Sequence, residues 1–176
     1  MIEDYSAKEF HFSGHDTFHL RYAWLPKAAD YLKNNIGASL NNYDKTMVEL
    51  GIGKNMATSL RHWAESSQLF EKFAPIPKSP HQFSDIGKII FGFGDPYFEK
   101  METIWLIHYL ITSNHKKNAL WFYLFNFYNE STIVKEEFLL SATSWFKNQG
   151  VKVNDHTIEK DFQVCMNMYN CSKRVS

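Results

Sequence analysis

The chain has 176 residues, 44% of them hydrophobic and 16% aromatic, which is enough to bury a core in one or two small domains and excludes a disordered segment. Nineteen Lys and Arg balance nineteen Asp and Glu, so the formal net charge is zero. That excludes nucleic-acid binding by a generally basic surface and leaves room for a local basic face. The start, MIEDYSAKEF, has no apolar signal region, and no apolar run approaches the roughly 18–20 residues of a membrane span, so no membrane partner is expected. Cys165 and Cys171 are too few for a disulfide framework, and the expected compartment is the reducing cytoplasm.

Residues 9–24, EFHFSGHDTFHLRYAW, come first. His11, His15 and His19 are spaced by four, which on a helix would line one side. Gly14 and the Phe-Ser-Gly run instead point to a loop up to about Asp16. No carboxylate or cysteine pair stands nearby at ligand spacing, so no metal is assigned to these histidines. Asp16 or Thr17 is expected to cap a helix carrying Phe18, Tyr22, Leu25, Ala29 and Leu32 on one side. Pro26 predicts a kink or break within it, and Asn34-Asn35-Ile36-Gly37 its end.

Residues 44–70, DKTMVELGIGKNMATSLRHWAESSQLF, read as a short helix, a turn at Gly51-Ile52-Gly53 and a longer helix opening at Lys54. Met56, Leu60, Trp63 and Ala64 fall on one helical stripe. Opposite stand Lys54, Asn55, Thr58, Arg61 and His62, all donors or cations. This is the pattern of a helix-turn-helix, whose second helix enters the major groove of duplex DNA. An ordinary helical hairpin with a solvated face shows the same pattern.

Leu69-Phe70 and Gln82-Phe83 are expected to pair around a tip from Pro75 to Pro80, forming a small β wing on which Lys72, Lys78 and His81 would face a phosphate backbone. Ser84 reads as the cap of a short helix over residues 85–91. Asp95 with Pro96 should open the next helix. Asp95, Glu99 and Glu102 form either a metal-binding carboxylate cluster or first-turn acids matched to a helix dipole, and the second reading is favoured. Two strongly apolar helices follow between Met101 and Tyr128, expected to be buried between domains or against a partner.

Residues 131–169 repeat the helix-turn-helix pattern. A helix over 134–148 turns Phe138, Leu139, Ala142, Trp145 and Phe146 inward and ends at Gly150. Asn154 caps a second helix with Ile158, Phe162, Cys165, Met166 and Tyr169 inward and His156, Lys160, Gln163 and Asn167 outward. No wing follows. The expected fold is therefore mainly α: tandem winged-helix or helix-turn-helix-like units joined by aromatic helices. Its parts are an arm and loop (1–15), a winged-helix-like domain (16–93), an aromatic helical core (94–130) and a second helix-turn-helix-like unit (131–176).

Four ordered motifs, Phe12 to Phe18, Leu50 to Met56, Asp95 to Tyr97 and Trp105 to His108, resemble those of a bacterial family, the domain of unknown function numbered four thousand and seven. The resemblance implies an anti-phage setting beside the enzymes of DNA phosphorothioation, and one branch implies a DNA-nicking activity. The family's pattern continues beyond this chain, so binding without cleavage is expected if cutting depends on that additional segment.

Two main readings result. The first is a DNA-binding module that contacts duplex DNA through Lys54, Asn55, Thr58, Arg61 and His62, with Lys160 and Gln163 from the second unit. The second is a nicking endonuclease using Mg²⁺ or Mn²⁺, for which His15, Asp16, Asp95 and Glu99 are the nominated residues. The absence of an Asp/Glu-x-Lys pair in a strand pattern weighs against it. A protein-binding adaptor that docks other defence subunits on residues 101–128 is a third reading.

Overall fold

Left-handed backbone in the opening loop decides where the first helix can start. In the computed structural model, which describes residues 9–21, 23–77 and 79–170, Ser13, Asp16 and Thr17 have φ of 57°, 46° and 65°. Such angles cannot continue into a right-handed helix. Helix α1 (Trp24–Asn34) opens later than expected and has no side-chain cap. Pro26 then lies in its first turn, where its missing N–H breaks no intrahelical bond, and no break is needed. Phe18 sits in the loop rather than on the helix. Tyr22, Lys78 and Cys171 lie outside the described residues.

The described residues form eight α-helices and one antiparallel hairpin, a mainly helical protein. They divide into two compact units, 14–111 and a second that joins 9–13 to 112–170.

In the first unit, α2 (Tyr43–Leu50) is capped by the Asn42 side chain on the Lys45 amide and ends at Gly51, whose φ of 62° suits glycine. Helix α3 (Lys54–Ser66) buries Ala57, Leu60, Trp63 and Ala64. Strands β1 (Phe70–Lys72) and β2 (His81–Phe83) pair Phe70 with Phe83 and Lys72 with His81. Ser84 caps α4 (Asp85–Ile89) through the Gly87 amide, as its sequence predicts. Gly87 packs so close to Leu69 that a Cβ there would overlap the Leu69 carbonyl oxygen. A π-helical turn (Ile90–Gly94) places Phe91 against Phe70, Phe83 and Phe98, with centroids 5.2, 5.4 and 5.8 Å away.

Helix α5 (Met101–Ser113) opens later than the Asp-Pro pair predicts, because Phe98 has φ of 58° and interrupts the turn. Its Ile107, Leu110 and Ile111 are buried, but Trp105 and Tyr109 remain 64% and 65% exposed. The helix is thus not covered all round.

In the second unit, α6 (Ala119–Asn126) is buried from Ala119 to Leu124. Helix α7 (Lys135–Asn148) buries Phe138, Ala142 and Phe146, with Leu139 and Trp145 half-buried. It ends with Gly150 at φ 76°, the Gly150 amide donating to Lys147 O and the Val151 amide to Phe146 O. This paired closure satisfies the last carbonyls. Asn154 caps α8 (Asp155–Tyr169) through the His156 amide, and Cys165 is buried among the apolar residues of this helix. The arm completes the core: Phe10 and Phe12 meet the Phe146 ring at 5.5 and 5.0 Å.

Candidate functional site

The outward side of α3 carries Lys54 and Asn55 exposed and Thr58 and Arg61 half-buried, as the helical periodicity predicts. His62 does not belong to it. Its ring is 5% exposed, turned under the 14–18 loop, with Nε2 3.2 Å from Ser66 Oγ. The loop gives α3 a second buried face: Trp63 Nε1 donates to Phe18 O at 3.0 Å, and a Cβ on Gly14 would collide with the His62 ring.

Arg61 is held rather than free. Its Nη1 donates to Asn41 Oδ1 at 3.0 Å, and its guanidinium carbon lies 5.9 Å from the Tyr43 ring centroid. Its Nε is buried without a hydrogen-bond partner. The Asn41 amide in turn donates to Pro77 O at 2.7 Å, on the hairpin arm. A polar cleft lined by Tyr31, Ser39, Asn42, Lys45 and Lys54 adjoins this point.

The expected outward placement of His81 is also corrected. It is 5% exposed and fixed from both ring nitrogens. The Leu40 amide donates to Nδ1 at 3.1 Å, and Nε2 lies 3.2 Å from Glu65 Oε1. The bonding assigns the proton to Nε2. Lys72, half-buried, stands 4.0 Å from the same Glu65 oxygen. In the second unit Lys160 and Gln163 are exposed on α8, and Gln163 Nε2 donates to Asn167 Oδ1 at 3.2 Å.

The residues nominated for metal-assisted cutting are spread through structural roles. His15 is buried and stacked on Trp63, with centroids 6.1 Å apart and planes at 15°. Asp16 sits half-buried in the loop. Asp95 accepts from the Glu99 and Lys100 amides, both at 2.9 Å, just ahead of α5. Burial opposes its ionisation, but the Thr103 hydroxyl, those two amides and the Lys100 charge outweigh it and hold the carboxyl below its usual value. Its capping role agrees in kind with the favoured sequence reading. Glu99 is exposed. Among the described residues no three His, Cys, Asp or Glu side chains are grouped to hold a metal ion. No helix of the described residues is long and apolar enough to cross a membrane.

Asn41, Tyr43, Glu65 and the buried Asp161 were not singled out by pattern. The doubled Asn41-Asn42 ahead of α2 is the one sequence signal for this corner, since a helix needs only one of them as its cap.

The family model described as "Protein of unknown function (DUF4007)" matches residues 12–175. The chain belongs to the DUF4007 family. All four motifs quoted for the resemblance fall within the match. No curated protein matches this DUF4007 chain. Among solved structures it is similar to a magnesium-ion-bound crystal structure of SspB, with a TM-score of 0.82 and 21% identity over 99% of this chain and 54% of that one. A second SspB crystal structure gives a TM-score of 0.81 and 21% identity over 97% and 53%. The chain thus spans about half the length of the SspB chains, and at this identity the likeness is one of fold.

Proposed function

We propose that this DUF4007 protein binds duplex DNA through α3, as part of a bacterial defence system linked to DNA phosphorothioation. The observation that carries the reading is the polar side of α3, Lys54, Asn55, Thr58 and Arg61, set beside a hairpin arm anchored to the same corner. The element order supports a winged-helix arrangement: helix, short segment, two helices, two strands. The segment after α1 joins the hairpin, since the His81 amide donates to Ala38 O at 2.9 Å. Lys160 and Gln163 on α8 offer a second set of donors to DNA. Phosphate contacts would position the protein, and zero net charge predicts a modest salt dependence. The phosphorothioation setting rests on the family resemblance and agrees with the likeness to SspB.

Metal-dependent nicking is the second reading, motivated by the magnesium ion bound in one of the similar structures. His15, Asp16, Asp95 and Glu99 do not fit such a site, so no catalytic step is assigned to them. The exposed Trp105 and Tyr109 on α5 support the adaptor reading.

Protein titrated onto labelled duplex and onto supercoiled plasmid, with and without Mg²⁺ or Mn²⁺, separates these. A mobility shift weakened by Arg61→Ala, with no open-circular product, is the expected result. Metal-dependent nicking would move the assignment to the enzyme. Neither shift nor nicking would leave the adaptor.

A further inference from the structure

We propose that Asn41 is a positioning residue: its side-chain amide clamps the Arg61 guanidinium to the hairpin arm, so that α3 and the arm present one fixed edge. Its use in nucleic-acid recognition rests on the DNA-binding reading above.

Both ends of the amide are committed. Oδ1 accepts from Arg61 Nη1 at 3.0 Å, and Nδ2 donates to Pro77 O at 2.7 Å. The backbone around Asn41 is itself tied to the arm. Ser39 Oγ donates to Ser79 O at 2.8 Å, and the Leu40 amide to His81 Nδ1 at 3.1 Å. The tip is closed internally by the Ala74 amide on Ser79 Oγ at 2.8 Å. Asn41 thus stands on a strap already fastened to the hairpin and reaches back to α3. The Tyr43 ring, 5.9 Å from the guanidinium carbon, restrains Arg61 from a second direction.

The geometry suits an amide. A donor must face Pro77 O while an acceptor faces Arg61, and a planar amide carries the two on separate atoms of one group. A carboxylate would keep the Arg61 bond, lose the bond to Pro77 and cancel the cation nearby. The cap of α2 does not explain Asn41, because Asn42 supplies it. Arg61 Nε stays buried without a partner, so the pose is set by the clamp at the expense of one of Arg61's own hydrogen bonds. An arginine held in advance loses less rotamer freedom on meeting a phosphate.

The test compares wild type, Asn41→Ala, Asn41→Asp, Arg61→Ala and the Asn41→Ala/Arg61→Ala double variant. The first readout, in the free protein, is rotation of the Arg61 guanidinium by NMR. Slow rotation in wild type, at least about tenfold faster in Asn41→Ala and again restricted in Asn41→Asp, supports the clamp; a general loosening of the fold would not be reversed by the carboxylate. Equal rates in wild type and Asn41→Ala overturn it. The second readout is affinity for duplex DNA. Asn41→Ala should bind roughly tenfold more weakly, with the double variant no worse than Arg61→Ala alone. Asn41→Asp should bind weakly despite its restrained Arg61. Wild-type affinity in Asn41→Ala overturns the positioning role. If wild type binds no DNA, the DNA-binding reading fails, and the rotation rates still decide the clamp.

Discussion

Glu65 on α3 holds His81 on β2, with 3.2 Å between Oε1 and Nε2. This bond joins the candidate recognition helix to the base of the hairpin. The other nitrogen of the same imidazole, Nδ1, accepts from the Leu40 amide.

Replacing His81 with Ala removes both bonds and leaves the buried Leu40 amide without its acceptor. Destabilisation of about 2–4 kcal/mol is expected, read from the midpoint of urea unfolding. A cost below about 0.5 kcal/mol would show that the ring is not structural. Lys72 near Glu65 tempers the loss.

His62 and Lys54 lie on one helix and should respond in opposite ways. His62→Ala vacates a buried site and is expected to cost about 2–3 kcal/mol of stability, while under the proposed DNA binding the folded fraction matches the wild-type affinity. Lys54→Ala should leave stability within about 0.5 kcal/mol and reduce the salt slope of DNA binding by about 1. Unfolding curves and salt titrations decide both.

Gly87→Ala places a methyl group onto the Leu69 carbonyl. A loss of at least about 3 kcal/mol is expected, because backbone rather than a flexible side chain must move. Gly92→Ala, with open space around its Cβ position, is the matched control. Equal melting temperatures for the two variants would refute the close approach.

Acidification should weaken the fold in two stages. Burial lowers the pKa of His108 from 6.5, so the unfolded chain takes up that proton first. The stability linked to His108 is therefore present above pH 6.5 and lost as the pH falls below it. Asp95 is held below 3.8, so its contribution is present above that value and lost as the pH falls further through its folded pKa. His108→Gln should flatten the first stage and Asp95→Asn the second, measured by thermal unfolding from strongly acidic to mildly alkaline pH. A profile unchanged by either variant would refute the assignment.

Some helix boundaries were legible from a single marking residue. Ser84, Gly150 and Asn154 serve at the positions their neighbours in sequence suggest. The hairpin was legible because two Phe-containing runs flank a proline-rich tip, and the Phe70–Phe83 register agrees with that reading. What escaped the sequence is non-local. The 3.6-residue helical stripe locates Leu60 and Trp63, but only the docked 14–18 loop decides that His62 is covered. His81 is a donor by type and a core residue by location, because Glu65 and Leu40 lie 16 and 41 residues away in sequence. The starts of α1 and α5 were missed, and both follow left-handed residues, Thr17 and Phe98, for which their residue types give no warning.

The carboxylate of Asp161 accepts both the amide and the hydroxyl of Ser13 at 3.1 Å, across 148 positions of sequence. During synthesis at about 5–20 residues per second, Asp161 follows Ser13 by roughly 7–30 s. Residues 14–111 emerge well before then, with their own contacts available. Phe10 and Phe12 must wait for Phe146 on α7, and Ser13 for Asp161 on α8. Phe10, Phe12 and Ser13 are therefore among the last residues of their unit to find their place, and anything that delays release of α7 prolongs the exposure of the two phenylalanines.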